Sequence, residues 1–151
     1  MIQIRETFDY RPLIPFFIEN ELEFDEGEEY DGDEIVKCWR ADEVDPVVPS
    51  SSHLVGGCVL AKREGEYICD GIAVAPEYRK GGLGRELLGL LLGEAKSGGA
   101  DKVFLVARAP GFFAKSGFIV VPRENAPDFF ECFTCPQYGR DCHPEVMRMD
   151  V

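Results

Sequence analysis

A chain of 151 residues with 45% hydrophobic content is long enough for one buried core and too apolar to be disordered throughout. Its formal net charge of −12 excludes nucleic acid or an anionic membrane surface as the principal partner. The opening "MIQIRETFDY" lacks the basic start and apolar run of a secretory signal, and the run "LLGLLLG" is too short to cross a bilayer, so a soluble, cytoplasmic protein is expected.

"MIQIRE" alternates as a strand does. "DYRPLIPFFIENELEF" reads as a helix capped by Asp9, with Pro12 in its first turn and Pro15 weakening it. Residues 19 to 34 follow, ten of the sixteen acidic, as a solvated loop or, on the sharper reading, a negative funnel for a cationic substrate. "EIVKCWRADEV", "HLVGGCVLAKR" and "EGEYICDGIAVAP" are strands, the first two joined by the Pro- and Ser-rich "DPVVPSSS" and the last two by a turn at Glu64-Gly65; together they make an antiparallel meander. "GLGRELLGLLLGEAKSGG" is the clearest helix. Leu83, Leu87, Leu91 and Ala95 form its apolar stripe, Leu88 and Leu92 widen it, and Gly98-Gly99 stops it. "KVFLVAR" is a strand buried on both faces, and the strand–helix–strand order predicts a right-handed crossover between parallel strands. "PGFFAKSG" is a short helix, and "FIVVPRE" and "EVMRMDV" are closing strands. No repeat or linker divides the chain, so residues 1–151 are expected to form one domain.

The stretch "VAPEYRKGGLGRELL" places Gly81, Gly82 and Gly84 where a helix starts, although glycine costs a helix roughly 1 kcal/mol against alanine. A helix N-terminus presents unpaired N–H groups and a partial positive charge, and glycine lets a ligand come close to the backbone. That combination binds phosphate, and Arg79, Lys80 and Arg85 add full charges around it. The alternative is an ordinary strand-to-helix turn that needs glycine. No Gly-Lys-Ser/Thr follows, which excludes a P-loop, and a dinucleotide fingerprint starting at Gly82 fails at Leu87.

Arg79-Lys80-Gly81-Gly82-Leu83-Gly84 resembles the Arg/Gln-x-x-Gly-x-Gly/Ala acetyl-CoA signature of the GNAT-type N-acetyltransferase superfamily. "IAVAPEYRKGGLG" and "PGFFAKSGF" resemble the family's approach strand and its later helix-and-strand element, and the order of elements matches. The resemblance implies an α/β (α+β) fold: a mixed sheet of six to seven strands with an antiparallel N-terminal meander, a parallel central pair and about four flanking helices. It implies acetyl-CoA as cosubstrate, its pyrophosphate on the backbone amides of Lys80, Gly81, Gly82, Leu83, Gly84 and Arg85. The pantetheine arm would pair with Ile72, Ala73 and Val74, the Val74 N–H would polarise the thioester carbonyl, and Phe112 and Phe113 would pack near the arm.

An attacking amine must be neutral, yet its pKa is about 8 to 10.4 free in solution. A carboxylate can assist. Period-two alternation puts Glu66, Ile68, Asp70, Ile72 and Val74 on one face, which makes Asp70 and Glu66 the candidate bases or, equally, ordinary strand carboxylates. Many family members place a tyrosine where this chain has Phe113; Tyr138 or a water could protonate the leaving thiolate instead. The double phenylalanine resembles the acetyltransferase domain of N-acetylglutamate synthases, which implies an amino acid-like acceptor, whereas the acidic run suits polyamines.

The six cysteines are expected as thiols or metal ligands rather than disulfides in that compartment. Cys58 and Cys69 lie within strands and are expected in the core. Within the Cys-rich segment 131–143, Cys132, Cys135, Cys142 and His143 could form a Cys₃His zinc site, with Cys38 as a possible fourth thiolate; reduced thiols or a redox pair are the alternatives. The expected function is therefore acetylation of a primary amine on a small molecule, by a cytoplasmic enzyme that would most commonly assemble, if at all, as a homodimer. A non-catalytic acyl-CoA sensor and a metal- or redox-responsive interaction protein are the rivals.

Overall fold

The computed structural model describes residues 1–19, 34–63, 65–107, 111–122 and 145–151. Seven strands form one sheet: β1 (Ile2–Thr7), β2 (Glu34–Glu43), β3 (His53–Arg63), β4 (Glu66–Val74), β5 (Lys102–Ala107), β6 (Ile119–Val121) and β7 (Glu145–Asp150). Among the described residues three α-helices flank it, α1 (Leu13–Glu19), α2 (Leu83–Ser97) and α3 (Gly111–Lys115), with short 3-10 turns at Pro49–Ser51 and Pro76–Gly81. The spatial order is β1-β2-β3-β4-β5-β7-β6. β1 to β4 pair antiparallel, β4 and β5 are parallel, and β7 inserts antiparallel between β5 and β6. The mixed α/β architecture, the meander and the parallel central pair follow the sequence expectation; the seating of β7 beside β5 does not show in the sequence. No helix among the described residues is long and apolar enough to cross a membrane.

α2 lies on one face of the sheet. Leu83, Leu87, Leu88, Leu91 and Ala95 are buried there against Trp39, Val55, Cys58, Leu60, Val103, Leu105 and Met147. Its end is a Schellman motif, in which the Ala100 N–H donates to Ala95 O and the Gly99 N–H to Lys96 O, with Gly99 at φ 97°. The expected Gly98-Gly99 stop is this geometry.

α1 covers the opposite face with Leu13, Phe16 and Phe17. It packs close because glycine leaves room. A Cβ on Gly57 would lie 2.5 Å from the Leu13 side chain, and one on Gly71 would lie 2.7 Å from the Phe17 ring. The helix starts three residues later than a cap at Asp9 predicts, and Asp9 is not its cap. Asp9 instead accepts the backbone N–H of Arg11 at 3.2 Å and pairs with the Arg11 guanidinium at 2.8 Å. Pro15 is tolerated because the third helical position has no intrahelical acceptor for an N–H. The remainder of that predicted helix, and most of the acidic run, lie outside the described residues.

Candidate active site

β4 has two unlike edges. Along β3 it is paired from Glu66↔Arg63 to Val74↔Gly56, and the hairpin turns through Gly65 at φ 83°. Along β5 the register is a single pair, Ile68↔Phe104, while β5 pairs with β7 throughout its length. Beyond Ile68 the two parallel strands part.

The parting coincides with a β-bulge. Leu60 faces Cys69 and Val59 faces Gly71, so Asp70 is an extra residue on β4. An inserted residue reverses the alternation of the strand beyond it. Tyr67 and Cys69 pack on the α2 face before the bulge, and Ile72 and Val74 pack there after it. Ile68 belongs to the other face, as do Gly71, under Phe17, and Ala73. The expectation that Glu66, Ile68, Asp70, Ile72 and Val74 share one face is therefore wrong. Period-two counting holds only for a regular strand, and the bulge that breaks it is set by pairing with β3. At about 3.3 Å per residue, Glu66 also lies roughly 26 Å from Val74 along the strand, too far to take a proton from a nucleophile held there. Asp70 is about 13 Å from Val74 and about 7 Å from Ile72 on the same measure.

Strand alternation decides which backbone groups face the opening. The Ala75 N–H donates to Val55 O at 2.8 Å, toward β3. The N–H and C=O of Ile72 and Val74 therefore point to the other edge, and those of Ala73 point to β3. Of the three residues expected to pair with an extended ligand, Ile72 and Val74 have the geometry.

The strand runs directly into the glycine turn. A 3-10 turn spans Pro76–Gly81, Gly82 follows at φ 82° and ψ 5°, and α2 begins at Leu83 with no side-chain cap. Its first intrahelical bond is Glu86 N–H to Gly82 O at 3.0 Å, which leaves the N–H groups of Leu83, Gly84 and Arg85 without an intrahelical acceptor. A Cβ at Gly81 or Gly82 would meet nothing within 4 Å, so the backbone there is open to a ligand. Gly82 also needs its left-handed φ, which other residues adopt at a cost of about 1–2 kcal/mol. Lys80 and Arg85 are exposed beside this turn, while the Leu83 side chain is core and offers only its N–H. Arg79 turns back: its Nε–H donates to the Val74 carbonyl at 2.9 Å.

Phe112 closes the other side. A Cβ on Gly84 would lie 3.4 Å from the Phe112 ring and 3.6 Å from the Val74 side chain, so the three meet at the mouth of the opening. Phe113 stacks edge-on against Phe112 at 5.1 Å and Phe118 at 5.8 Å, an aromatic wall with no proton to give.

The three described cysteines are buried thiols. Cys58 and Cys69 are core, as expected, and so is Cys38, fully buried under α1. Burial, with the charges of Asp9 and Asp70 adding to it, pushes the Cys38 thiol up to about 12; burial, then Asp70, takes Cys69 to about 12; Cys58 is raised by burial too. Cys38 packs among Leu13, Phe16, Phe17 and Val59. Tyr138, Cys132, Cys135, Cys142 and His143 lie outside the described residues, and among the described residues no group of three or more His, Cys, Asp or Glu is placed to hold a metal. The sequence reading missed the bulge and the Arg79–Val74 contact. Only the glycine at 71, which has no side chain to pack, marked the bulge as a place of irregularity.

This geometry has counterparts. The family model for the acetyltransferase (GNAT) family matches residues 13–118. An acetyltransferase of the GNAT family from Staphylococcus aureus Mu50 superposes with a TM-score of 0.70 at 19% identity, over 99% of each chain. N-acetylglutamate synthase from Neisseria gonorrhoeae, complexed with coenzyme A and N-acetyl-glutamate, gives 0.71 at 17% identity, over 100% of this chain and 35% of its own. A GNAT family acetyltransferase from Elizabethkingia anophelis with acetyl-CoA bound gives 0.66 at 18% identity, over 99% and 98%. At these identities the superpositions speak for the fold, and the family match covers most of the chain: the protein belongs to the GNAT acetyltransferase family and is an acyltransferase.

Proposed function

We propose that the chain acetylates the primary amine of a small molecule, with acetyl-CoA supplying the activated acyl group. The carrying observation is the fork in the sheet: β4 stays paired to β3, leaves β5 after Ile68, and delivers its open edge to an accessible glycine turn at a helix N-terminus. A thioester arm fits there as an added strand, its polar groups meeting the outward N–H and C=O of Ile72 and the outward N–H of Val74, whose C=O Arg79 holds. The pyrophosphate fits the N–H groups of Leu83, Gly84 and Arg85, beside the open backbone of Gly81 and Gly82, and Phe112 and Phe113 wall the arm.

The Val74 or Ile72 N–H faces the developing oxyanion. Asp70 is the base, since it stands at the bulge within a water's reach of Ile72 and Glu66 does not. Phe113 cannot protonate the leaving thiolate. A thiol of pKa about 8.5 leaving unprotonated at pH 7 costs only about 2 kcal/mol, so the aromatic wall slows turnover without preventing it. Tyr138 or a water supplies that proton. The synthase fold match, together with the double phenylalanine, supports an amino acid-like acceptor over a polyamine.

Thiol release from acetyl-CoA, measured against amino acids, polyamines, aminoglycosides and basic peptides with a no-amine control for the protein's own cysteines, tests this. Release stimulated by amino acids is expected. Binding of acetyl-CoA with no release from any amine would replace the enzyme by an acyl-CoA sensor.

A further inference from the structure

The last peptide of β4 is held from both sides. Its N–H, from Ala75, donates to Val55 O on β3 at 2.8 Å. Its C=O, from Val74, accepts Arg79 Nε–H at 2.9 Å on the edge that β5 has left. Strand pairing fixes a peptide plane through both of its polar groups, and here the second partner strand is gone. Arg79 reaches back over five residues to take its place. We propose that Arg79 is a positioning residue that sets the open edge of β4 for the thioester arm and acts through its Nε–H, rather than a phosphate ligand acting through its charge. The proposal rests on the acetyl-CoA reading above.

The two roles need different atoms. In glutamine, Nε2 is bonded to Cδ, as Nε is in arginine, so Arg79→Gln keeps a donor in place and discards the charge. Lysine has a methylene at that point, so Arg79→Lys keeps the charge and discards the donor. Truncated ligands divide the roles again: pantetheine carries the arm without the pyrophosphate.

The experiment measures equilibrium binding of CoA and of pantetheine by calorimetry to the wild type, Arg79→Gln, Arg79→Lys and Arg79→Ala. The carbonyl ¹³C shift of Val74 is read in each ligand-free protein. The expected result is a loss of roughly tenfold for Arg79→Ala and Arg79→Lys on both ligands alike, the effect of one hydrogen bond. Near wild-type binding should return in Arg79→Gln, and the Val74 carbonyl should shift in Ala and Lys but not in Gln. A loss confined to CoA and restored by lysine overturns the positioning role. So does an unmoved Val74 carbonyl in Arg79→Ala. A wild type that binds neither ligand overturns the acetyl-CoA reading itself, and the positioning role with it.

Discussion

The two edges of β4 carry the same backbone chemistry and opposite fates. The β3 edge is closed by a full ladder and packed from one side by α1, with Gly57 and Gly71 admitting Leu13 and Phe17. The β5 edge is paired once and then opens at Asp70. One edge holds the sheet together and the other is left for something else to pair with. An inserted residue, Asp70, lies where the pairing of the two edges comes to differ.

The comparison breaks first on the closed side. Phe17 is fully buried, and Phe17→Ala should cost about 3–5 kcal/mol of stability in denaturant unfolding, with acetyl-CoA affinity of the folded fraction unchanged. A loss below 1 kcal/mol would mean that α1 does not secure that face. On the open side, Gly82→Glu puts a carboxylate in the space at the turn and strains a φ of 82°. It should weaken acetyl-CoA binding by about a hundredfold or more, like charges repelling at close range, while the circular dichroism spectrum is retained. Wild-type affinity in that variant would remove the turn from the site. Asp70→Asn should lower the rate by about tenfold or more and flatten its fall toward acidic pH, since an amide cannot accept the amine proton. An unchanged pH profile would release Asp70 from the base role.

The smallest effect at neutral pH is on the core thiols. Cys38 and Cys69 are raised from 9.0 to about 12 in the folded state, so the unfolded chain loses these protons first as pH rises. Stability from this source is whole below pH 9 and is lost progressively between pH 9 and about 12. Melting temperatures measured across that range should fall, and less steeply in Cys38→Ala once its own stability change is subtracted. Equal slopes would show that the Cys38 thiol ionises as easily in the folded chain as in the unfolded one.

Much of this molecule is local chemistry and is legible without coordinates. The leucine stripe of α2, its double-glycine stop, the strands of the meander and the phosphate-ready turn each follow from the period and dihedral needs of a few neighbouring residues. The resemblance carried by Arg79 to Gly84 depends on the same short-range pattern, which is why it pointed to the family. What the chain could not announce were relations between distant segments. β7 enters between β5 and β6, the bulge moves Glu66 and Ile68 to the face away from Ile72 and Val74, and Arg79 folds back onto the Val74 carbonyl. Residue spacing determines how a strand would alternate if it were regular, whereas only its pairing with a neighbour decides where it is not. The site is built at that irregularity.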